Sequence, residues 1–380
     1  MNNVKKLSIV IIFVLMFNNI VFSLDVTPYN HLYKIRTSEE KAKLSDNTIY
    51  FNEIEDMISL YNPVVQNNWN AYDANKTSTD VYNDYMDAYD SLDALASSTD
   101  NDVQAAMYRA QADAMRINAD KNVVDSNVNF LNYYMVEKNL ALATKTLFIN
   151  YYKYGIEEGK ANANLKEANR KYNTAKNNYD LGNLTRVEFL LASKNVDDAR
   201  ADVLSASSKR ENAKRNLIIN CGKSVSEEVI IMQPNIVSSD EIKKINISID
   251  TIKAINNNIQ YEIYKRQFEN ATTEEMRNQN QINMSAAENY IRADVEKKYS
   301  DLKDQLSIYD TEFVNYQYVK DEFKTAENSF NMGTISEKEF ETARYNKNIA
   351  DFNLQIANFD LAIAYENYLA TINGLASAGN

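Results

Sequence analysis

Two stretches of this sequence repeat each other without a gap at an offset of 151 residues. Residues 172–216 align with residues 323–367, and the alignment sets aromatic residue on aromatic residue and glycine on glycine. Alanines recur every seven residues in both copies: Ala192, Ala199, Ala206 and Ala213, and Ala343, Ala350, Ala357 and Ala364. Self-similarity at a fixed offset indicates a duplicated structural unit.

Each copy predicts a helix, a tight turn and a second helix. Gly182 and Gly333 can adopt the left-handed conformation that ends a helix. A hydroxyl residue then caps the next helix, and an acid three residues later completes a capping box. These pairs are Thr185 with Glu188 and Ser336 with Glu339. Leu184 and Ile335 precede the caps and are predicted to pack as hydrophobic staples on Phe189 and Phe340.

The arms on both sides of each turn carry apolar residues at alternating intervals of three and four. That spacing, with alanine at one recurring position, indicates close-packed left-handed coiled coils. Only 7 glycines and 3 prolines occur in 380 residues, so the chain consists of long elements with few turns. The predicted fold class is all-α, with two tandem repeats of long antiparallel coiled-coil helical hairpins.

The rest of the chain is predicted to complete the two repeats. In the first, a helix capped by Asn52 runs to about residue 95, a polar break covers 97–101, and one helix spans 103–182. In the second, the crossover lies near 278–283, and Asn256 corresponds to Asn62 at an offset of 194. Val229–Met232 is a candidate short strand in the connection between the repeats.

The N-terminus has the organisation of a secretory signal peptide. Lys5 and Lys6 precede an apolar run, and small residues suit cleavage after Ser23. An uncleaved membrane anchor is the alternative. The predicted boundaries are 1–23 for the signal peptide, 24–222 for the first repeat, 223–250 for the connecting segment and 251–380 for the second repeat.

Composition argues against several functions. A formal charge of −12 leaves no basic surface for nucleic acid. One histidine, His31, and one cysteine, Cys221, supply no catalytic or metal-binding set, and the isolated glycines form no phosphate loop. No enzyme activity, cofactor or metal is therefore expected.

The duplicated hairpin resembles the TolC family of outer-membrane efflux proteins. The resemblance rests on the segments Tyr179–Thr185 and Phe330–Ser336, each with an aromatic residue, a glycine and a hydroxyl cap. It implies a homotrimer whose twelve helices form an α-barrel across the periplasm, with the glycine turns as tips that dock a periplasmic adaptor serving an inner-membrane transporter. The docking residues carried over by position are Gly182, Leu184, Thr185, Gly333, Ile335 and Ser336, with Leu184 and Ile335 as exposed apolar neighbours.

Two interpretations of the tip acids stay open. Capping accounts for Glu188 and Glu339, and the family also places acids at this position around a closed gate. Rings of acids favour cations in a lumen. A possible gate at Glu188 and Glu339 is therefore retained beside the capping role.

The sequence departs from the family at the crossovers, where membrane-spanning strands of alternating residues would be needed. We therefore expect a TolC-like α-barrel subunit with little or no β-barrel, and membrane association without an evident transmembrane segment in the mature chain. The predicted location is the cell envelope, at the outer membrane or in the periplasm. The predicted function is an efflux or export duct. The alternative is an exported coiled-coil scaffold or spacer without channel activity.

Overall fold

The computed structural model describes residues 36–75, 81–99, 101–121, 126–234, 239–271 and 273–379. The predicted signal peptide and His31 lie outside the described residues. Helix accounts for 86% of the structure and strand for 1%, which confirms the all-α class. Among the described residues, no helix is both long enough and apolar enough to cross a membrane.

The helices are α1 (Ser38–Leu44), α2 (Ile54–Tyr61), α3 (Pro63–Asn75), α4 (Val81–Ser98), α5 (Asp102–Lys121), α6 (Ser126–Asp180), α7 (Arg186–Asn220), α8 (Ser239–Lys243), α9 (Ile247–Asn257), α10 (Ile259–Asn270), α11 (Glu274–Asn331) and α12 (Glu337–Ala370). A 3-10 turn, Phe51–Glu53, precedes α2, and a π-helical turn, Thr371–Leu375, follows α12. Strands β1 (Thr48–Ile49) and β2 (Ile230–Ile231) pair in parallel, so the predicted strand near 229–232 is present but short.

The chain divides into two compact units. The smaller comprises Asn67–Tyr133 and Ile263–Ile282 among the described residues, and the larger comprises Arg36–Gln66, Tyr134–Glu262 and Asn283–Asn380. Each is described separately. The predicted repeat boundaries at 222 and 250 stay a prediction.

In the larger unit, α7 packs with α6 from Tyr134 onward to form the first hairpin, and α12 packs with α11 from Asn283 onward to form the second. Both hairpins close on alanines and other apolar residues of the predicted heptads; Ala192, Ala343 and Ala364 are half-buried, and the other five seam alanines are buried. The buried seam alanines are Ala199, Ala206 and Ala213 in the first hairpin and Ala350 and Ala357 in the second. Alanine at these positions lets paired helices approach closely, and the predicted coiled-coil packing is confirmed.

The two hairpins lie side by side in the order α7, α6, α12, α11, which we call the four-helix row. Between α6 and α7, the Arg210 guanidinium lies 3.1 Å from the Glu158 carboxylate. Between α6 and α12, Tyr345 donates to Asn164 at 2.9 Å. Within the second hairpin, the rings of Tyr299 and Tyr368 lie 6.0 Å apart. Among the described residues, α7 packs on α6 and α11 packs on α12, so we call α7 and α11 the outer helices of the row.

Each repeat is closed at its base by one asparagine and one glycine, a set of contacts that we call the base closure. In the first repeat, Asn62 follows α2 and its amide donates to the Asn220 carbonyl at 3.0 Å. Its side-chain oxygen accepts from the Val64 N–H and so caps α3. Gly222, at φ +72°, is so close to Tyr61 that an added Cβ would lie 2.3 Å from the Tyr61 carbonyl oxygen.

The second repeat has the same base closure, at residues other than those predicted. Asn258, not Asn256, separates two helices, and its amide donates to the Ala376 carbonyl at 2.8 Å. A Cβ on Gly374 would lie 2.8 Å from the carbonyl oxygen of Asn257. The structural offset is therefore 196 residues between Asn62 and Asn258, and the predicted offset of 194 is wrong. Apolar spacing set the predicted alignment, whereas the helix break sets the observed one.

In the smaller unit, α4 and α5 pack as a short hairpin on the buried alanines Ala96, Ala105 and Ala112. Asn101 caps α5 by accepting from the Val103 N–H at 3.1 Å, in the break that was predicted at 97–101. The helix predicted from Asn52 to residue 95 is instead the succession of the 3-10 turn, α2, α3 and α4. Of the single helix predicted for 103–182, the structure describes α5 and α6; residues 122–125 lie outside the described residues, and the continuity of the helix there stays a prediction.

The crossover of the second repeat was also placed wrongly. Helix α10 ends at Asn270 and α11 begins at Glu274, so the crossover falls between these helices, and residues 278–283 are inside α11. The Thr273 hydroxyl accepts from the Met276 N–H at 3.2 Å and caps the long helix. The first turn of α11 then contains Glu274 and Glu275, which suit the positive end of a helix dipole. The polar residues that suggested a crossover instead belong to a helix.

Candidate functional site

The two glycine turns, which we call the tips, are built alike. Tip one covers 181–185 and tip two covers 332–336. Gly182 has φ +75° and donates to the Tyr179 carbonyl at 2.9 Å, and Asn183 donates to the Asn178 carbonyl at 2.8 Å. This pair of bonds is the Schellman arrangement, which satisfies the last carbonyls of α6. At tip two, Gly333 has φ +71° and makes the corresponding bond to Phe330 at 2.9 Å.

Both predicted capping boxes are present. The Thr185 hydroxyl oxygen accepts from the Glu188 N–H at 3.3 Å, and the Glu188 carboxylate accepts from the Thr185 N–H at 2.9 Å. At tip two the distances for Ser336 and Glu339 are 3.3 Å and 2.8 Å. Two sequences that differ at most tip positions thus fix the same start for α7 and α12.

The caps also determine the electrostatics of the tip acids. Hydrogen bonds from the Thr185 hydroxyl and N–H stabilise the ionised form and lower the pKa of Glu188 below its ordinary value. The Ser336 N–H and hydroxyl lower the pKa of Glu339 in the same way. Both carboxylates are therefore anionic at neutral pH. The gate role remains a prediction.

An aromatic stack lies behind each turn. Phe189 stacks on Tyr179 with ring centroids 5.0 Å apart, and Phe340 stacks on Phe330 at 4.6 Å. The stacks join the two arms of each hairpin directly beside the glycine. The staple contacts predicted from Leu184 and Ile335 stay a prediction.

The exposed apolar residues of the tips are not the predicted ones. Leu184 and Ile335 are half-buried. Leu181 and Met332, which occupy equivalent positions just before each glycine, are 74% and 71% exposed. A residue directly before a left-handed glycine lies at the end of the helix, beyond the packed arms. The positions of Leu181 and Met332 next to Gly182 and Gly333 were therefore the sequence feature that could have predicted their exposure. An added Cβ on Gly182 or Gly333 would meet no atom within 4 Å, so both tips are open.

The sequence has one cysteine, Cys221, which lies between Asn220 and Gly222 of the base closure and has a buried side chain. Burial raises the pKa of its thiol to about 12. The described residues contain no group of three or more histidine, cysteine or acidic side chains placed to hold a metal ion.

Solved structures share this architecture. The MtrE outer-membrane channel of Neisseria gonorrhoeae, in its open state, aligns with a TM-score of 0.54 at 10% identity, over 85% of this chain and 89% of that chain. CusC, whose crystal structures concern folding and transmembrane channel formation, aligns with a TM-score of 0.50 at 9% identity, over 85% and 92%. The sequence matches no protein-family model and no curated protein.

The duplicated hairpins and their tips define a protein of paired coiled-coil repeats that share one row of helices. More particularly, the chain has the fold of the TolC-like outer-membrane channels, as its sequence predicted.

Proposed function

We propose that the chain is one subunit of an export duct in the cell envelope. Three copies would close the four-helix row into a twelve-helix tunnel, and the tips would dock a periplasmic adaptor that serves an inner-membrane transporter. The fold shared with outer-membrane channels supports this proposal. The observation that carries it is the set of exposed apolar side chains on the outer helix at each end of the row.

Both outer helices leave large apolar side chains uncovered. On α7 these are Val187, Leu190, Leu191 and Leu204, and on α11 they are Ile308, Phe313, Val314 and Tyr318. Apolar residues exposed along the edge of a packed layer mark an interaction surface. Two different edges on one chain suit a head-to-tail contact, and such contacts generate rings when the rotation closes.

The second part of the proposal concerns the tips. Leu181 and Met332 would contact the adaptor, next to the carried-over docking residues. Glu188 and Glu339 would line the entrance as a possible gate while also capping their helices. Because Gly182 and Gly333 have open space around them, a partner can approach the backbone closely at both tips.

The assembly is tested by the size of the mature protein in solution. Sedimentation and native mass spectrometry should give a trimer. A monomer that persists at high concentration would contradict the tunnel.

Docking is tested by a photo-crosslinking amino acid placed at position 181 or 332 in living cells. We expect capture of an envelope protein with its own long coiled coil, identified by mass spectrometry. The same probe at exposed Asp202, on the shaft of α7, is the control and should not capture that protein. Capture of nothing at both tips would contradict docking.

Transport is tested separately from assembly. Cells that lack the protein should accumulate an exported fluorescent compound, and the wild-type chain should restore its export. Normal export by such cells, together with an altered envelope, would instead support the scaffold that the sequence left open.

A further inference from the structure

The contact between the two repeats within one chain includes two ion pairs of the same polarity. On α6, the Lys145 ammonium lies 2.7 Å from Glu55 of α2 and 3.4 Å from Glu366 of α12, and the Lys153 ammonium lies 2.6 Å from Asp360 of α12. The first arm of repeat one is therefore positive where it meets the second arm of repeat two, which is negative. This in-chain contact can be compared with what each outer helix presents.

The duplication identifies the corresponding positions on the outer helices. At an offset of 151 residues, Lys145 and Lys153 correspond to Glu296 and Asp304 of α11, and the acids Glu366 and Asp360 correspond to Arg215 and Lys209 of α7. The four long helices are continuous through these positions, so the alignment keeps its register. All four charges are reversed, and all four outer residues are exposed.

We propose that neighbouring copies of this chain join through these reversed charges. Arg215 and Lys209 on α7 of one copy would pair with Glu296 and Asp304 on α11 of the next. In a ring, the rotation that moves hairpin one onto hairpin two moves α6 onto α11. The same rotation moves α12 onto α7 of the next copy, so the contact of α6 with α12 is repeated as a contact of α11 with that α7. The inference rests on the proposed trimer. It adds which helices of neighbouring copies are in contact, which residues face each other there, and which side of the contact is positive.

The reversal also excludes wrong arrangements. If the first hairpins of two copies met, α7 of one would face α6 of the other, with Lys209 toward Lys153. If two second hairpins met, Asp360 of α12 would face Asp304 of α11. Like charges at close range oppose association, and such repulsion supports specificity in protein interfaces. Only a ring in which first and second hairpins alternate pairs cations with acids at every contact between hairpins.

The exposed apolar residues belong to the same contact. Within the chain, Arg170 of α6 donates to Thr342 of α12 at 3.4 Å. The equivalent residues are Asp321 of α11 and Leu191 of α7. Tyr318 lies about one helical turn from Asp321. The proposed register therefore brings exposed Leu191 of one copy beside exposed Tyr318 of the next, and both become covered.

The test uses charge reversal at Arg215 and Glu296. Lys209 is less suitable because its ammonium also lies 4.0 Å from Glu157 in the same chain. Arg215→Glu and Glu296→Arg are each measured by analytical ultracentrifugation at low ionic strength, together with the double variant. Each single change turns attraction into repulsion at all three contacts of a ring, so the concentration for half-dissociation should rise about tenfold or more. The double variant should return to within about threefold of wild type.

Asp197→Lys is the matched control, because it makes the same change of charge as Glu296→Arg. Asp197 of α7 corresponds to Asn348 of α12. Asn348 is exposed even though α12 has a neighbouring helix on each side, so Asp197 is expected to stay exposed in the trimer as well. Its reversal should leave the trimer unchanged. Circular dichroism checks that every variant keeps its helicity.

The outcomes separate the two proposals. A wild-type trimer that both single reversals leave intact would overturn this interface and leave the duct proposal standing. A folded double variant that fails to recover would also overturn the pairing. A wild-type protein that is monomeric at every concentration would overturn both.

Discussion

The tips and the base closures use the same residue in nearly the same conformation for different reasons. Gly182 and Gly222 have φ values of +75° and +72°, and both follow the end of a long helix. Around Gly182 there is open space, whereas a Cβ on Gly222 would lie 2.3 Å from a backbone oxygen of Tyr61. The base thus needs glycine for packing, and the tip needs it only for the backbone angle. The tip therefore keeps its surface available for a partner.

The largest expected effect comes from Gly222→Ala, with Gly182→Ala as its control. Both substitutions carry the left-handed penalty of about 1–2 kcal/mol. Only Gly222→Ala adds a backbone collision, so its total cost should reach about 3–5 kcal/mol. Urea unfolding measures both. Alkylation of buried Cys221 should also accelerate in Gly222→Ala alone, because the base must open to expose the thiol. Equal costs at the two glycines would contradict the comparison.

The next effect comes from the asparagines of the base closure. Asn258→Ala removes a buried bond to the Ala376 carbonyl and the cap on the Tyr261 N–H. Losing both should cost about 2–3 kcal/mol in thermal or urea unfolding. Asn256→Ala tests the alignment itself, because Asn256 was the residue predicted from sequence. It should cost less than about 0.5 kcal/mol, and a larger loss than at Asn258 would restore the offset of 194.

A smaller effect is expected at the caps. Thr185→Ala and Ser336→Ala should each destabilise the protein by about 1 kcal/mol, since each removes one N-cap. Their costs should agree because the two boxes have matching distances. Thr185→Ser keeps the hydroxyl and serves as the control. A loss of stability in only one of the two variants would contradict this expectation, because it would show that two capping boxes of the same geometry contribute differently to stability.

The smallest effect concerns pH at the tips. The pKa of Glu188 is lowered in the folded state, so the cap contributes stability above the carboxyl's ordinary unfolded pKa. That contribution is lost as pH falls through the folded-state pKa. Titration followed by NMR should show a lowered value for Glu188 in wild type and a value nearer normal in Thr185→Ala. An unchanged titration in Thr185→Ala would contradict the capping account.

The tips could be predicted because their structure is local. Glycine, a hydroxyl cap and an acid three residues on lie within seven positions, and each has a known effect on the backbone. The alanine heptads likewise depend on helical spacing alone. Leu184 and Ile335 were misjudged because helical periodicity stops at the turn, where burial depends on how the chain crosses between arms.

The base closures could not be predicted because their contacts are distant in sequence. Asn62 and Asn220 are 158 residues apart, and no local pattern links them. The second crossover was misplaced because a polar stretch suits an exposed helix as well as a loop.

The base closure has a mechanical consequence for the tips. α7 contains 35 residues, which span about 52 Å between base and tip. A rigid rotation of about 5° at Asn62 and Gly222 would move the tip sideways by roughly 5 Å. No helical hydrogen bond need break for such a displacement. A small rotation at the base thus produces a displacement of several ångströms at the opposite end of the same helix.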